Sequence, residues 1–348
     1  MTKHWTILIV ASLATLLAIF SPALLARAAI YEWEYINPAN PGLGKRQSTM
    51  LTPDGAGVSA EPGSNLSNRN LTKAYLIGAN LSSVYLCDYG CYFTNYPADL
   101  SGTNLSQADL SGADLTLVSL TGANLAGAEV RAANFTETGI TVPQLYSTAS
   151  YQSHDLAGIG LYGANLSGAN FAGQNLTNAT LMTATLTGAD FTGAQVQGAS
   201  VWLISKTQLY STASYDAKNL SLITLHSTET AWNFAGQDLT GADLNGTLRN
   251  ANFSQANLTN ARLSSATFTN SNFSQANLTN AVVDYANLTG ASMTGAVVRG
   301  ANFSAAPQYP GSGLTLAQLY STSSYQSHDL TGIKLRGNVL TGANLAGQ

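Results

Sequence analysis

From Asp155 the chain reads DLAG IGLYG ANLSG ANFAG QNLTN ATLMT ATLTG ADFTG AQVQG ASV, and a large apolar residue returns at every fifth position. The series is Leu156, Leu161, Leu166, Phe171, Leu176, Leu181, Leu186 and Phe191, continued by Val196 and Val201. Two residues before each there is often Ala or another small residue, with Asn or Asp commonly between. A period of five fits neither helix nor strand. On a helix the Leu would walk about 140° around the axis per repeat. On one long strand alternate Leu would face opposite sides. A coil that turns a corner every five residues meets both objections. On each short extended side, the Leu and the small residue two positions earlier point inward together. Asn or Asp and the last two positions point outward. Successive coils then stack at about 4.8 Å.

The same count, with breaks, runs through most of the chain. Leu66 to Leu86 form a first block, which CDYGCYFTNYPA interrupts, and Leu100 to Phe135 form a second. The third is the one quoted. A fourth begins at Leu220 and Leu225, slips near AWNF, resumes at Phe234, and takes a four-residue step from Leu244 to Leu248 before running on to Phe303. Leu330, Leu335, Leu340 and Leu345 form a fifth.

Three near-copies of one phrase interrupt the count: TVPQLYSTASYQSHDL from Thr141, SKTQLYSTASYDAKNL from Ser205 and TLAQLYSTSSYQSHDL from Thr315. Each opens with Ser or Thr followed three residues later by Gln: Thr141/Gln144, Ser205/Gln208 and Thr315/Gln318. That is a capping box, so each phrase predicts a short helix, over 141–153, 205–217 and 315–327. The helix is expected to pack beside the coil through Leu145, Leu209 or Leu319 and the following Tyr. Gln174, Gln237 and Gln348 follow the three capping Gln at nearly constant distance, so helix and following coil form one duplicated unit.

The pattern A(D/N)LXX, as in ADLSG, ANLAG, ANFSQ and ANLTN, resembles the pentapeptide-repeat family. The resemblance covers most of the chain from Ser64 onward. It implies an all-β solenoid, a right-handed quadrilateral β-helix of four pentapeptides per coil, here with a few short inserted helices. The segment from Tyr31 to Gly63, with the QLYSTASY phrase, is similar to the secreted pentapeptide-repeat proteins of planctomycete-type bacteria. The organisation expected is a leader at 1–28, an N-terminal extension or cap at 29–63, and repeats over 64–348.

Composition narrows the function. Only 9% of the 348 residues are charged and the formal net charge is −4. A nucleic-acid binder needs a basic face, so no nucleic-acid partner is expected. A gyrase-binding DNA mimic, an activity the family resemblance brings in, depends on an acidic face and is disfavoured by the weak charge and by the leader. That leader joins Lys3 to the apolar run WTILIVASLATLLAIF and to the small-residue pattern Ala26-Arg27-Ala28. This reads as a cleaved secretory signal, since sixteen apolar residues fall short of the roughly 20 that span a bilayer. The mature chain is expected to be exported, to the periplasm, the cell surface or beyond. Export permits a disulfide between Cys87 and Cys91 across Asp88-Tyr89-Gly90, the other reading being two unpaired thiols under a loop. Two Cys without a His cluster make no zinc site. No metal or cofactor motif is found.

The consecutive Ser153-His154-Asp155 and Ser327-His328-Asp329 contain hydrolase residue types, but the middle copy is Ala217-Lys218-Asn219. A catalytic triad is assembled in space rather than in sequence, so no enzyme is expected. The many N-x-[ST] triplets arise automatically from A-N-L-[ST]. What remains is a secreted structural or interaction scaffold. The alternative is a binding module for carbohydrate, protein or ice through flat polar ladders, and a cell-surface polysaccharide is one partner considered. Ending mid-unit at LTGANLAGQ, the chain reads as a fragment, end-to-end self-association being the other reading.

Overall fold

The computed structural model describes residues 29–82, 84–86, 92–95, 97–306, 308–309 and 311–348. The leader at 1–28 and the pair Cys87 and Cys91 lie outside the described residues. The chain forms two compact units, Met1–Ser150 and Tyr151–Gln348. The boundary falls inside the first interrupting phrase.

In both units parallel bridges join outward residues about twenty apart, four per layer. In unit 1 Asp99 pairs with Ser119, Asn104 with Asn124, Asp109 with Glu129 and Asp114 with Asn134. In unit 2 Asn165 pairs with Thr185, Asn170 with Asp190, Asn175 with Gln195 and Thr180 with Ser200. The Leu of each repeat donates its N–H to the layer above, as Leu176 does to Gln195 O at 2.8 Å, and the next outward N–H reaches the layer below, as Gln195 N does to Gln174 O at 3.0 Å. Most of these bridges stay isolated. Among the described residues only β5 (Ser200–Trp202), β6 (Thr224–Ser227) and β7 (Asp243–Gly246) form a continuous parallel sheet. Where the sequence leads one to expect the closed sheets of a four-sided β-helix, the described residues show a ladder of single bridges.

The inward positions form the core. Leu156, Leu161, Leu166, Phe171, Leu176, Leu181, Leu186 and Phe191 are all buried, and so are the Ala residues between them, such as Ala164, Ala169 and Ala179. Aromatics stack along the layers: Trp232 on Phe234 at 5.5 Å, Phe234 on Phe253 at 5.2 Å and Phe253 on Phe273 at 4.9 Å. Such pairs add attraction beyond the area they bury. The last layer differs, because no further described layer covers it: Leu330, Leu335 and Leu340 are half-buried and Leu345 is 43% exposed.

The four-residue step has a local cause. Layers spanning it are nineteen residues long, as in Asn233 to Asn252 and Asp243 to Arg262. Gly246, at φ +93, makes the tightened corner, and a Cβ there would lie 2.3 Å from Ser227 O. No side chain fits that approach.

At the N-terminal end β1 (Ala29–Tyr35) and β2 (Lys45–Ala56) form an antiparallel hairpin. It lies against the first layers through Tyr75 N to Tyr31 O at 2.8 Å, Trp33 N to Lys73 O at 3.0 Å and Asp54 N to Asn70 O at 3.0 Å. β3 (Val84–Leu86) and β4 (Tyr92–Asn95) form a second small hairpin.

Each interrupting phrase folds as two short helices rather than the one expected: α1 (Val142–Ser147) and α2 (Ala149–Gln152), α3 (Lys206–Tyr210) and α4 (Ala213–Asp216), α5 (Leu316–Ser321) and α6 (Ser323–Gln326). They do not lie beside the layers. They stand within one, hydrogen-bonded in line with it.

Candidate interaction surface

The repeat's outward Asn or Asp first acts on its own turn. Its Oδ1 accepts the N–H two residues on, and often the hydroxyl there as well. Asn80 receives Ser82 N at 3.1 Å and Ser82 Oγ at 2.7 Å, and Asn165 receives Ser167 N at 3.2 Å and Oγ at 2.8 Å. These are Asx turns, and they explain why N-x-[ST] recurs. The same side chains then join layers: Asn124 Nδ2 donates to Asn104 Oδ1 at 3.1 Å, Asn175 Nδ2 to Asp155 Oδ1 at 3.1 Å and Asn272 Nδ2 to Asn252 Oδ1 at 3.3 Å. The Thr192 hydroxyl and N–H hold the Asp190 carboxyl below its ordinary pKa. Thr331 does the same for Asp329.

The two His-Asp pairs belong to this scheme. His154 sits at a corner with φ +58, a position filled by Lys218 in the second copy and His328 in the third. Asp155 accepts Ala157 N at 3.2 Å as well as the Asn175 amide. Asn219 takes the same turn with Ser221. A position that works equally with His or Lys selects for a left-handed corner rather than for imidazole chemistry.

The inserts are bound in by side chains standing in for backbone. All three capping boxes form, with Thr141, Ser205 and Thr315 each accepting from the N–H of Gln144, Gln208 or Gln318. The same Gln side chains reach the layer below: Gln144 Nε2 to Leu120 O and Ala123 O, Gln208 Nε2 to Leu186 O and Ala189 O, Gln318 Nε2 to Leu288 O and Ala291 O, all at 2.8–3.0 Å. Leu145, Leu209 and Leu319 fill the core.

Several side-chain roles here escaped the sequence reading. Ser150, Ser214 and Ser324 accept the N–H of Val130, Val196 and Val298 through their Oγ, where ordinary layers offer a carbonyl. Paired phenols hold the next layer: Tyr215 Oη donates to Asn233 O at 2.7 Å while Asn233 N donates to Tyr210 Oη at 2.6 Å. Tyr325 and Tyr320 repeat this on Asn344, and Tyr151 Oη donates to Asn170 O. Burial raises the pKa of both Tyr210 and Tyr215. Gln174, Gln237 and Gln348 cap the helix ends at Tyr151 O, Tyr215 O and Tyr325 O. The usable signal was internal: Y-S-T-[AS]-S-Y is common to all three copies.

Residues 98–136, 164–202, 247–283 and 271–306 match the family described as pentapeptide repeats, in eight copies. Over those stretches the chain carries pentapeptide repeats. Among solved pentapeptide-repeat structures it is similar to HetL of the cyanobacterium Nostoc sp. strain PCC 7120, a protein involved in heterocyst differentiation regulation: 24% identity over 68% of this chain and 90% of that one, TM-score 0.18. Rfr23 of the cyanobacterium Cyanothece 51142 is 25% identical over 33% of this chain and 85% of its own, TM-score 0.17. QnrB1, a plasmid-mediated fluoroquinolone resistance protein, is 14% identical over 78% of this chain and 89% of its own, TM-score 0.20. No curated protein matches the chain.

One wall of unit 2 departs from the polar pentapeptide ladder. Trp202 and His226 occupy equivalent places on β5 and β6, their rings 5.1 Å apart. Leu203 and Leu222, at corners with φ +59 and +60, are 64% and 60% exposed. Corners elsewhere use mainly Gly or Asn.

Proposed function

We propose that this chain is an exported, non-enzymatic scaffold whose pentapeptide repeats wind as a right-handed, four-sided β-helix. The observation that carries it is the commitment of the outward carboxylates and amides. Asp155, Asp190, Asp238 and Asp329 each accept a turn N–H, and the stacked Asn side chains bond one another. Groups engaged in this way give a flat, nearly neutral, self-bonded surface suited to structural support. The leader-like residues 1–28 support export, as does the resemblance to secreted proteins expected from the sequence of the segment after them. The test is fractionation of cells expressing the full sequence. A chain shortened at its N-terminus and found outside the cytoplasm is expected; full-length protein in the cytosol would overturn export. A pull-down with the mature chain then addresses the scaffold's partner.

A second reading, a binding module, is favoured by the wall bearing Trp202, His226, Leu203 and Leu222. Leu in a left-handed corner costs about 1–2 kcal/mol, and here it is exposed as well. Local cost without packing gain marks functional positions. Leu222→Asn should keep or raise the melting temperature while weakening capture of any partner that uses this wall.

A further inference from the structure

Asp109 is 2% exposed, and among the described residues no other acidic side chain is buried to that degree. Its partner is Lys45 of β2, whose Nζ lies 2.9 Å from Asp109 Oδ2 and 2.6 Å from Glu129 Oε1. The Lys45 side chain is only 8% exposed, and the indole of Trp33 covers its Nζ at 4.1 Å. Trp33 is itself anchored through Nε1 to Gln107 O at 2.8 Å. The other oxygen of Asp109, Oδ1, accepts the Ser111 N–H at 3.1 Å. Glu129 keeps 44% of its side chain open to solvent.

Lysine, aspartate and glutamate are therefore held together under an aromatic lid, with a backbone donor on the aspartate's second oxygen. The amine lies 2.9 Å from Asp109 Oδ2, in direct contact with the carboxyl group whose carbon it would attack. We propose that Lys45 and Asp109 condense into an intramolecular isopeptide bond, with Glu129 carrying the protons, so that the N-terminal hairpin is welded to the pentapeptide layers.

The atoms balance as follows. One proton passes from the Lys45 ammonium to the Asp109 carboxylate, leaving a neutral amine and a carboxylic acid. Nζ attacks Cγ, the Nζ–Cγ bond forms, and the oxyanion develops on Oδ1, where the Ser111 N–H receives it. Glu129 accepts a proton from Nζ and delivers it to the Oδ2 hydroxyl. The Cγ–Oδ2 bond breaks, the Oδ1 carbonyl re-forms, and one water leaves on the solvent side of Glu129. Glu129 ends ionised as it began, and no oxidant or reductant takes part. Burial works against the charge on Lys45, but hydrogen bonds to Glu129 and Asp109 outweigh it and raise its pKa. The amine is accordingly freed only by proton transfer inside the cluster, and the reaction is expected to be slow and autocatalytic, following folding.

The test uses the full chain, purified folded, incubated and then digested with a protease under denaturing conditions. The expected product is one branched peptide joining the Lys45 and Asp109 segments, lighter than their sum by the mass of one water. Recovery of the two peptides only as separate species from folded, long-incubated protein would overturn the proposal. Glu129→Gln should slow linkage at least tenfold while Trp33 fluorescence still reports a seated hairpin; linkage at the unmutated rate would remove Glu129 from the reaction. Asp109→Ala should give no branched peptide, and if that variant fails to fold, the digest of the unmutated chain decides alone.

Discussion

At the residue scale, one inward Leu and one Tyr pair show how different demands fall on single side chains. Leu176 is fully buried between layers. Leu176→Ala should cost about 2–5 kcal/mol, read from urea unfolding, while Leu176→Lys should abolish the cooperative transition. Tyr215→Phe removes the donor to Asn233 O, and leaving that carbonyl unpaired should cost about 1–3 kcal/mol. These phenols also give unit 2 an alkaline limit. Their folded pKa values are raised by burial, so the neutral form favours the fold. That contribution is complete below the unfolded Tyr value of about 10 and is lost as pH rises through the higher folded value. Thermal melts should fall above about pH 10, and less so in a Tyr210→Phe/Tyr215→Phe double variant. An alkaline limit that the double variant leaves unchanged would remove these phenols as its cause.

At the element scale, the inserted helix pairs are too short to hold themselves. Their stability comes from groups that replace the missing ladder: the capping Gln on the layer below, the buried Ser on the Val N–H and the Tyr pair on the layer above. Gln208→Ala removes one arm of the cap and two carbonyl partners in a single change. It should cost more than the roughly 1 kcal/mol typical of a lost cap, measured against Gln255→Ala on the exposed ladder as a control. Capping boxes were legible in the sequence because their spacing is local. The Ser and Tyr roles were not, since each partner lies 18 to 26 residues away and only the folded path defines which.

At the scale of the whole molecule, stability is a sum over neighbouring layers, as in other repeat architectures. Asn257 bridges Asn277, so residues 258–277 amount to one layer. Deleting all twenty should leave a folded chain with a modest change in melting temperature. Deleting only 258–262 shifts every following rung by one side and should lower the melting temperature far more. Equal effects of the two deletions, followed by circular dichroism, would show that the twenty-residue register does not govern the fold.

The sequence by itself determined which residues face inward, because the period-five alternation of large, small and polar residues is a local property that solvent alone enforces. It also marked where the rhythm breaks and how the inserted helices begin. Tertiary structure decided the rest: that the helices stand in line within a layer, that Gly246 makes a nineteen-residue layer fit, and that Lys45, Asp109 and Glu129 meet. Those outcomes depend on which layer lies over which, a stacking that no window of sequence contains.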